Sequence, residues 1–417
     1  MERGYARCGD PKDADVIVFN TCAVRQHAED RFFGNLNNLK ADKKANPDLI
    51  IAVGGCVAQA ERELILEKSP HVDIVFGTHN MPNLGFLVEA AEQGRRAVCA
   101  VADEIEIMPT AVASAREEAH HAWVPIIIGC NNFCSYCIVP QTRGRETSRT
   151  EKDIVSEVER LVSEGVVEIT LLGQNVNSYG RDISGSSQFA KLLNRLNAVA
   201  GLRRIRFMTS HPKDLTDDII YAVASGDKIC EHIHLPVQAG SDRLLAAMNR
   251  KYTKEGYLAT ISKIYETIPG AGITTDIMVG FPGETEEDFL HTLDVVEKAR
   301  YDAAFTFIFS PRDGTPAAKM ENQVDAGVKA ERFDRLLAML NRISLENNSA
   351  LIGREIEVFV ESVSKKDQQM LAGRTRTNKI INFAGPASLV HTETTVRVTE
   401  VRTWSLRGEL LEVAVTS

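Results

Sequence analysis

One alternation runs through most of this chain: short apolar runs separated by amphipathic stretches of helical period. Strands joined through an intervening helix run parallel, so the pattern restricts the chain to an α/β architecture. In the first hundred residues the apolar runs are Val16–Phe19, Leu49–Val53 and Val72–Phe76. Helical stretches run from Arg25 to about Lys40, from Glu61 to Lys68 and from Met81 to Gln93. Together they predict an N-terminal doubly wound parallel sheet over residues 1–97. Residues Val98 to His121 follow neither period, and their Ala, Glu and Pro content predicts a linker.

From Trp123 the alternation resumes in longer units. Predicted strands are Val124–Ile128, Val167–Leu172, Arg204–Met208, His232–Leu235, Ile273–Val279 and Ala303–Phe309. Predicted helices are Lys152–Ser163, Gln188–Val199, Asp214–Ala224, Asp242–Met248, Lys254–Thr267 and Glu286–Ala299, with Thr253 and Thr285 as N-caps of the last two. Six such units predict a central partial (β/α)6 barrel over residues 116–346, two units short of a closed eight-unit barrel. A long helix, about Val328 to Asn348, leads to Gly353, where the period changes to two in Glu355–Glu361. With further strands at Asn378–Phe383 and Thr395–Val401, and turns at Lys365-Lys366-Asp367 and Arg407-Gly408, residues 349–415 predict a C-terminal small antiparallel β-barrel.

Composition narrows the functional classes. A chain of 417 residues, 44% hydrophobic and 25% charged, is neither disordered nor fibrous. Apolar stretches such as Val124–Ile128 fall far short of the roughly 18 residues that span a bilayer, and Met1-Glu2-Arg3-Gly4 has no apolar signal core. The expectation is a cytoplasmic protein with no membrane partner and, most simply, a monomer. A net charge of −9 opposes a general nucleic-acid coat, so any RNA contact must be local. Eight cysteines in a large chain without a secretory signal favour metal binding or catalysis over a disulfide framework.

The densest chemistry is Cys130-Asn131-Asn132-Phe133-Cys134-Ser135-Tyr136-Cys137, three thiols directly after the first strand of the barrel. Barrel enzymes place their chemistry in loops at the carboxyl ends of strands. Three thiolates are one short of a structural zinc site, but they can hold three irons of a 4Fe-4S cluster and leave the fourth open to a substrate. A zinc knuckle with a distant fourth ligand, or ordinary loop cysteines, are the alternatives. Later strand ends carry Gly and polar residues: Gly173-Gln174-Asn175, Gln238-Ala239-Gly240-Ser241 and Gly280-Phe281-Pro282-Gly283. Such residues admit a ligand close to the backbone, although Gly after a strand is usually a turn. In the first domain Cys22 and Cys56 each follow a predicted strand, at the edge where open α/β sheets bind ligands. On spacing alone they are better read as a pair of buried structural thiols, and the context of the whole chain reverses that preference.

The thiol loop set in an open six-unit barrel resembles the radical S-adenosylmethionine (SAM) superfamily over residues 123 to 345. The resemblance implies that Cys130, Cys134 and Cys137 are catalytic, holding a 4Fe-4S cluster whose open iron binds SAM and cleaves it to a 5′-deoxyadenosyl radical. It further implies SAM contacts from Tyr136, Gly173, Gln174, Gln238, Ser241 and Gly280. The chain as a whole resembles the radical-SAM methylthiotransferases: an N-terminal cysteine domain, the radical core and a C-terminal TRAM barrel. That family holds a second iron-sulfur cluster on three N-terminal cysteines, two of which match Cys22 and Cys56. The third normally lies near the chain start, in a strand and helix that this sequence does not contain. Cys8 follows that position and is not assigned in its place, so either the chain begins about 30 residues late or the ligand set is altered.

Asn20-Thr21-Cys22-Ala23-Val24-Arg25, Leu172–Gly180 and Ser210-His211-Pro212 resemble the branch that modifies isopentenyladenosine beside the tRNA anticodon. Sister branches act on threonylcarbamoyladenosine, with Thr after the N-terminal cysteine, or on a ribosomal-protein aspartate, with Gly there; Ala23 matches neither. The resemblance implies methylthiolation of adenine C2, with one SAM for the methyl group and one for the radical. A sulfur donor and an electron donor such as flavodoxin or ferredoxin complete the implied partners. A catalytically silent iron-sulfur protein that binds RNA is the remaining alternative.

Lys365, Lys366, Arg374, Arg376, Lys379, Arg397, Arg402 and Arg407 make the C-terminal barrel the expected RNA-binding element, against the alternative of a solvated surface interleaved with acids. Arg143, Arg145 and Arg149 meet either substrate phosphate or neighbouring acids. Cys99 and Cys230 read as packing residues, and His120-His121 as surface or interdomain contacts rather than metal ligands.

Overall fold

A computed structural model describes residues 4–22, 26–102, 118–364 and 367–412. Ala23, Val24, Arg25, Lys365 and Lys366, together with most of the expected linker, lie outside the described residues. The chain divides into two compact units: residues 1–115, 128–147 and 312–315 form the first, and residues 116–127, 148–311 and 316–417 the second.

The first unit is built on a four-stranded parallel sheet in chain order, β1 (Val16–Thr21), β2 (Ile50–Gly55), β3 (Ile74–Phe76) and β4 (Val98–Ala100). β4 corrects the linker expectation, since three residues are too few to show a period yet pair in register with Ile74–Phe76. Helices α1 (Gln26–Ala45), α2 (Cys56–Glu61), α3 (Leu64–Lys68) and α4 (Leu84–Glu92) connect the strands. Alternate residues of the inner strands feed two cores: Ile51, Val53 and Val75 pack with Phe32 and Leu36 of α1, while Ile50, Ala52, Ile74 and Phe76 pack with Val88 and Ala91 of α4. Burial on both faces is why β2 reads as an unbroken apolar run.

In the second unit, parallel strands β5 (His121–Pro125), β6 (Glu168–Leu172) and β7 (Arg204–Phe207) form one sheet, and β8 (His232–His234), β9 (Gly272–Val279) and β10 (Ala303–Ile308) another. A parallel bridge ties Ile205 of β7 to Ile229, in the segment that leads into β8. Long helices include α6 (Glu151–Ser163), α10 (Lys254–Thr267) and α11 (Glu286–Ala299), following the short α5 (Val139–Arg143) of the first unit and, in the second, α7 (Phe189–Asn197), α8 (Asp217–Ser225) and α9 (Asp242–Ala247). Thr253 caps α10, and Thr285 with Asp288 forms a capping box on α11, as their sequence positions predict.

Helix α12 (Ala326–Ser349) leads into a closed barrel of β11 (Glu355–Val363), β12 (Met370–Thr375), β13 (Ile380–Ala384), β14 (Glu393–Val401) and β15 (Leu406–Glu412), in the order β11-β12-β13-β15-β14. All pairs are antiparallel except β13 with β15, which run parallel. The turn expected at Arg407-Gly408 is instead inside β15: a Cβ on Gly408 would stand 2.6 Å from the Arg397 carbonyl oxygen, so the glycine serves close strand approach.

The two C-terminal segments expected as separate domains fall in one unit, and arginine side chains explain why. Arg204, fully buried, donates through Nε to Glu393 (2.9 Å), through Nη2 to Glu357 (2.8 Å) and through Nη1 to the Arg374 carbonyl (2.9 Å). Arg206 donates to Glu168 and to the Thr375 and Arg376 carbonyls. These fork geometries fix barrel to sheet through both charge and direction.

Candidate functional site: two thiol sets in one unit

β1 and β2 run in register, Thr21 beside Gly55, so Cys22 and Cys56 each occupy the next position beyond that pair at the carboxyl edge of the sheet. Thr21 Oγ1 donates to the Gly54 carbonyl at 2.6 Å and accepts from Val57 N at 3.2 Å, pinning the two strand ends together. Gly55 has φ +92°, and a Cβ there would stand 2.4 Å from the Thr21 carbonyl oxygen. Cys56 is buried and opens α2, whereas Cys22 is exposed. Cys8, in the approach to β1, is exposed with its thiol donating to the Asp10 carbonyl at 3.0 Å.

The other thiol set lies in the same unit. Cys130 and Cys134 are buried and Cys137 is partly so. The loop is braced from both ends: Cys130 N donates to the Gly144 carbonyl at 3.2 Å, and Asn131 N donates to Glu146 Oε1 at 3.2 Å. Glu146 N in turn donates to Asn131 Oδ1 at 3.4 Å. Gly129 has φ +82°, and a Cβ there would stand 2.1 Å from the Arg145 carbonyl oxygen. Arg145 lies 4.5 Å from the centroid of the Phe133 ring, whose backbone holds φ +46°. The Asn131–Glu146 brace was not legible in the sequence, because an acid 15 residues downstream shares no period with the loop.

Cys137 leads through Ile138 into α5, which packs on α2. Ile138 joins the core of Val53, Val57 and Val75. Both thiol sets thus border helices that pack together within one unit.

The donor chemistry fits iron-sulfur clusters. Between Cys130 and Cys137 no residue carries charge, and soft thiolates are the ligands that clusters select. Burial pushes the Cys130 thiol up, so this site favours a neutral thiol until a cation compensates the thiolate. Among the described residues no three His, Cys, Asp or Glu side chains form a single-ion site. Cluster thiolates bind separate irons, so three thiols on one braced loop answer the requirement.

The remaining expected residues divide between the units. Tyr136 is partly buried in the thiol loop. In the second unit, Gly173 and Gln174 follow β6, Gln238 and Ser241 follow β8, and Gly280 follows β9, all at carboxyl strand ends. Their own packing uses much of what the sequence offered to a ligand. A Cβ on Gly173 would stand 2.4 Å from Ile127, and one on Gly280 2.4 Å from Lys329. Ser241 caps α9 and donates to Asp288, whose carboxyl is held well below the usual range, against its burial, by hydrogen bonds from Arg243, Ser241 and Thr285. Gln238 adopts φ +65° and bridges to Ile277.

Several charged candidates prove structural. Arg149 is buried on Glu157 (2.6 Å) and the Pro125 carbonyl (2.9 Å). Arg376 binds both oxygens of Glu231, Arg374 pairs with Glu361, and Lys379 pairs with Asp302, which corrects their expected presentation to RNA. His120 stacks on His391 at 4.1 Å, and His121 lies 2.9 Å from Thr170 Oγ1. Cys230 is buried, and Cys99 packs against the core of the first unit.

Thiol loop and parallel βα units together define a radical SAM protein, and the Radical SAM superfamily profile matches residues 124–296. Residues 1–77 match Uncharacterized protein family UPF0004, and residues 350–411 match the TRAM domain. The chain belongs to the tRNA-2-methylthio-N(6)-dimethylallyladenosine synthase family. It is 52% identical to the synthase of Thermoanaerobacter pseudethanolicus, over 98% of this chain and 88% of that protein. It is 50% identical to that of Carboxydothermus hydrogenoformans, over 98% of this chain and 93% of that one. Among solved structures, the radical S-adenosylmethionine methyltransferase TsrM from Kitasatospora setae shares the fold at TM-score 0.58 and 16% identity, over 73% of this chain and 65% of that chain. The cobalamin-dependent radical enzyme OxsB does so at TM-score 0.51 and 12% identity, over 78% of this chain and 48% of that chain. Among the described residues no helix is long and apolar enough to cross a membrane.

Proposed function

We propose that this chain transfers a methylthio group to C2 of N6-isopentenyladenosine in tRNA, beside the anticodon. The carrying observation is that two thiol sets, the loop trio and the sheet-edge pair, occupy one compact unit of a chain 50–52% identical to such synthases. Cys130, Cys134 and Cys137 would hold one 4Fe-4S cluster, and Cys22 and Cys56 would contribute to a second. When bound with SAM, these groups would supply a carbon-centred radical for an unactivated C–H carbon and a methylated sulfur to replace the hydrogen.

The protein's own share is binding, positioning and exclusion of water. The Asn131–Glu146 brace holds the thiol loop, and burial of Cys130 and Cys134 keeps water from the cluster thiolates. Thr21 holds the strand ends that carry Cys22 and Cys56. In the second unit Gly173, Gln174, Gln238, Ser241 and Gly280 are the SAM-binding residues of this reading; in the first, Tyr136 is placed with the SAM adenine. The reading also carries an electron donor such as flavodoxin or ferredoxin, a sulfur donor, a monomeric protein and a cytoplasmic setting.

The test is mass spectrometry of tRNA nucleosides from a host that lacks its own methylthiotransferase but makes isopentenyladenosine. Appearance of the 2-methylthio nucleoside on expression of this chain is the expected result. Unmodified isopentenyladenosine beside soluble, cluster-loaded protein would overturn the reading.

A further inference from the structure

The second unit exposes aromatic surface where a stable fold gains nothing from it. Trp404 is 55% exposed, Phe305 49% and Ile380 41%, and all three line one cavity of about 160 Å³. A cavity of about 150 Å³ takes one benzene ring, so this volume is on the scale of a single planar heterocycle. The cavity floor is polar but already satisfied: Thr274 Oγ1 lies 3.0 Å from both His232 and His234, and Lys379 is paired with Asp302.

The platform is rigid. Trp404 sits in the turn between β14 and β15, closed by Arg402 N donating to the Ser405 carbonyl at 2.8 Å. Two buried residues of α12 hold that turn: Ser344 donates to the Thr403 carbonyl at 2.8 Å, and Asn348 donates to the Arg402 carbonyl at 2.8 Å. An exposed indole on an anchored turn is preorganised for a flat partner.

The rim charge selects the partner. Arg402 and Arg407 flank Trp404 and share one carboxylate, that of Glu400, at 3.4 and 3.6 Å. Two exposed cations on one acid leave an excess positive charge, and such exposed pairs are weak enough to exchange for phosphate. An aromatic platform with cations beside it is the combination that takes an unpaired base and its phosphate.

From this arrangement we propose that Trp404, with Phe305 and Ile380, forms a stacking site for one unpaired nucleobase of the substrate RNA, with Arg402 and Arg407 on the adjoining phosphate. The site rests on the tRNA reading above and extends it to a specific surface.

The chain has two tryptophans, so Trp123→Phe in the full-length, cluster-loaded protein leaves Trp404 as the only indole. Titration with a synthetic anticodon stem-loop carrying isopentenyladenosine should quench Trp404 emission in step with binding. Trp404→Ala should weaken binding about tenfold, Trp404→Phe should retain most of it, and Arg402→Gln with Arg407→Gln should lower the salt slope by about one. RNA binding with unchanged Trp404 emission, or full affinity in Trp404→Ala, overturns the stacking site and leaves the tRNA reading standing. Failure of the unaltered chain to bind the stem-loop overturns both.

Discussion

Thr78 Oγ1 donates a 2.6 Å hydrogen bond to the Thr142 carbonyl, joining the turn after β3 to α5, the helix that follows Cys137. The loop thiols are therefore anchored to the sheet that carries Cys22 and Cys56. Loss of one thiol set and loss of the other should still have separable effects.

Replacing Cys130, Cys134 or Cys137 with Ala should remove about four irons per chain and abolish SAM cleavage, because on the proposed reading one iron of the cluster loses its only protein ligand. Iron analysis and SAM turnover on the purified variants measure both.

Cys22→Ala and Cys56→Ala should behave differently. SAM cleavage should persist while the methylthio product falls below detection, since on the proposed reading only the sulfur-bearing group loses a ligand. Parallel assays of SAM cleavage and modified nucleoside separate the two outcomes.

Gly55→Ala should destabilise the first unit by about 2 kcal/mol or more, because a side chain at φ +92° also meets the Thr21 carbonyl oxygen at 2.4 Å. Denaturant midpoints of the two proteins give the difference.

Arg204→Ala should cost about 2–3 kcal/mol. Removing one member of a fully buried pair typically costs more, but Glu357 and Glu393 are partly hydrated and recover some solvation. Arg204→Lys should restore only part of the loss, because a single ammonium cannot make all three contacts of the fork.

Burial holds the His232 imidazole down to about 3 and that of His211 down to about 2, with nearby arginines adding to the effect. Unfolding raises both toward the ordinary value near 6.5, so the unfolded chain binds more protons in between. Stability should be unaffected by these groups above about pH 6.5. It should fall as pH drops below that value, by up to about 1.4 kcal/mol per unit for each histidine. Urea midpoints between pH 7.5 and 5.5 check the sign, and His232→Gln should flatten the dependence.

The barrel helices were legible because their caps are local: Thr253 and Thr285 mark the starts of Lys254–Thr267 and Glu286–Ala299 without reference to the rest of the fold. β12 and β15 were not, since Gly373 and Gly408 lie mid-strand where glycine reads as a turn; a Cβ on Gly373 would stand 2.7 Å from the Phe359 carbonyl oxygen. The thiol spacing was legible for the same reason as the caps. What sequence could not show was partnership at long range. Arg376 and Lys379 look like solvent-facing cations until Glu231 and Asp302 are brought beside them.

The backbone crosses between the two units between the described residues 102 and 118, and again at 127–128, 147–148, 311–312 and 315–316. No single cut can release the first unit intact. A fragment ending where the first sheet ends would lack α5, the helix that covers α2, and would leave Val53, Val57 and Val75 short of Ile138. During synthesis the same topology sets an order of events: the sheet bearing Cys22 and Cys56 emerges first, residues 128–147 with the other three thiols follow, and packing of the unit finishes only when residues 312–315 have been delivered. The unit that carries both thiol sets is thereby complete only once residue 315 of the chain has been made.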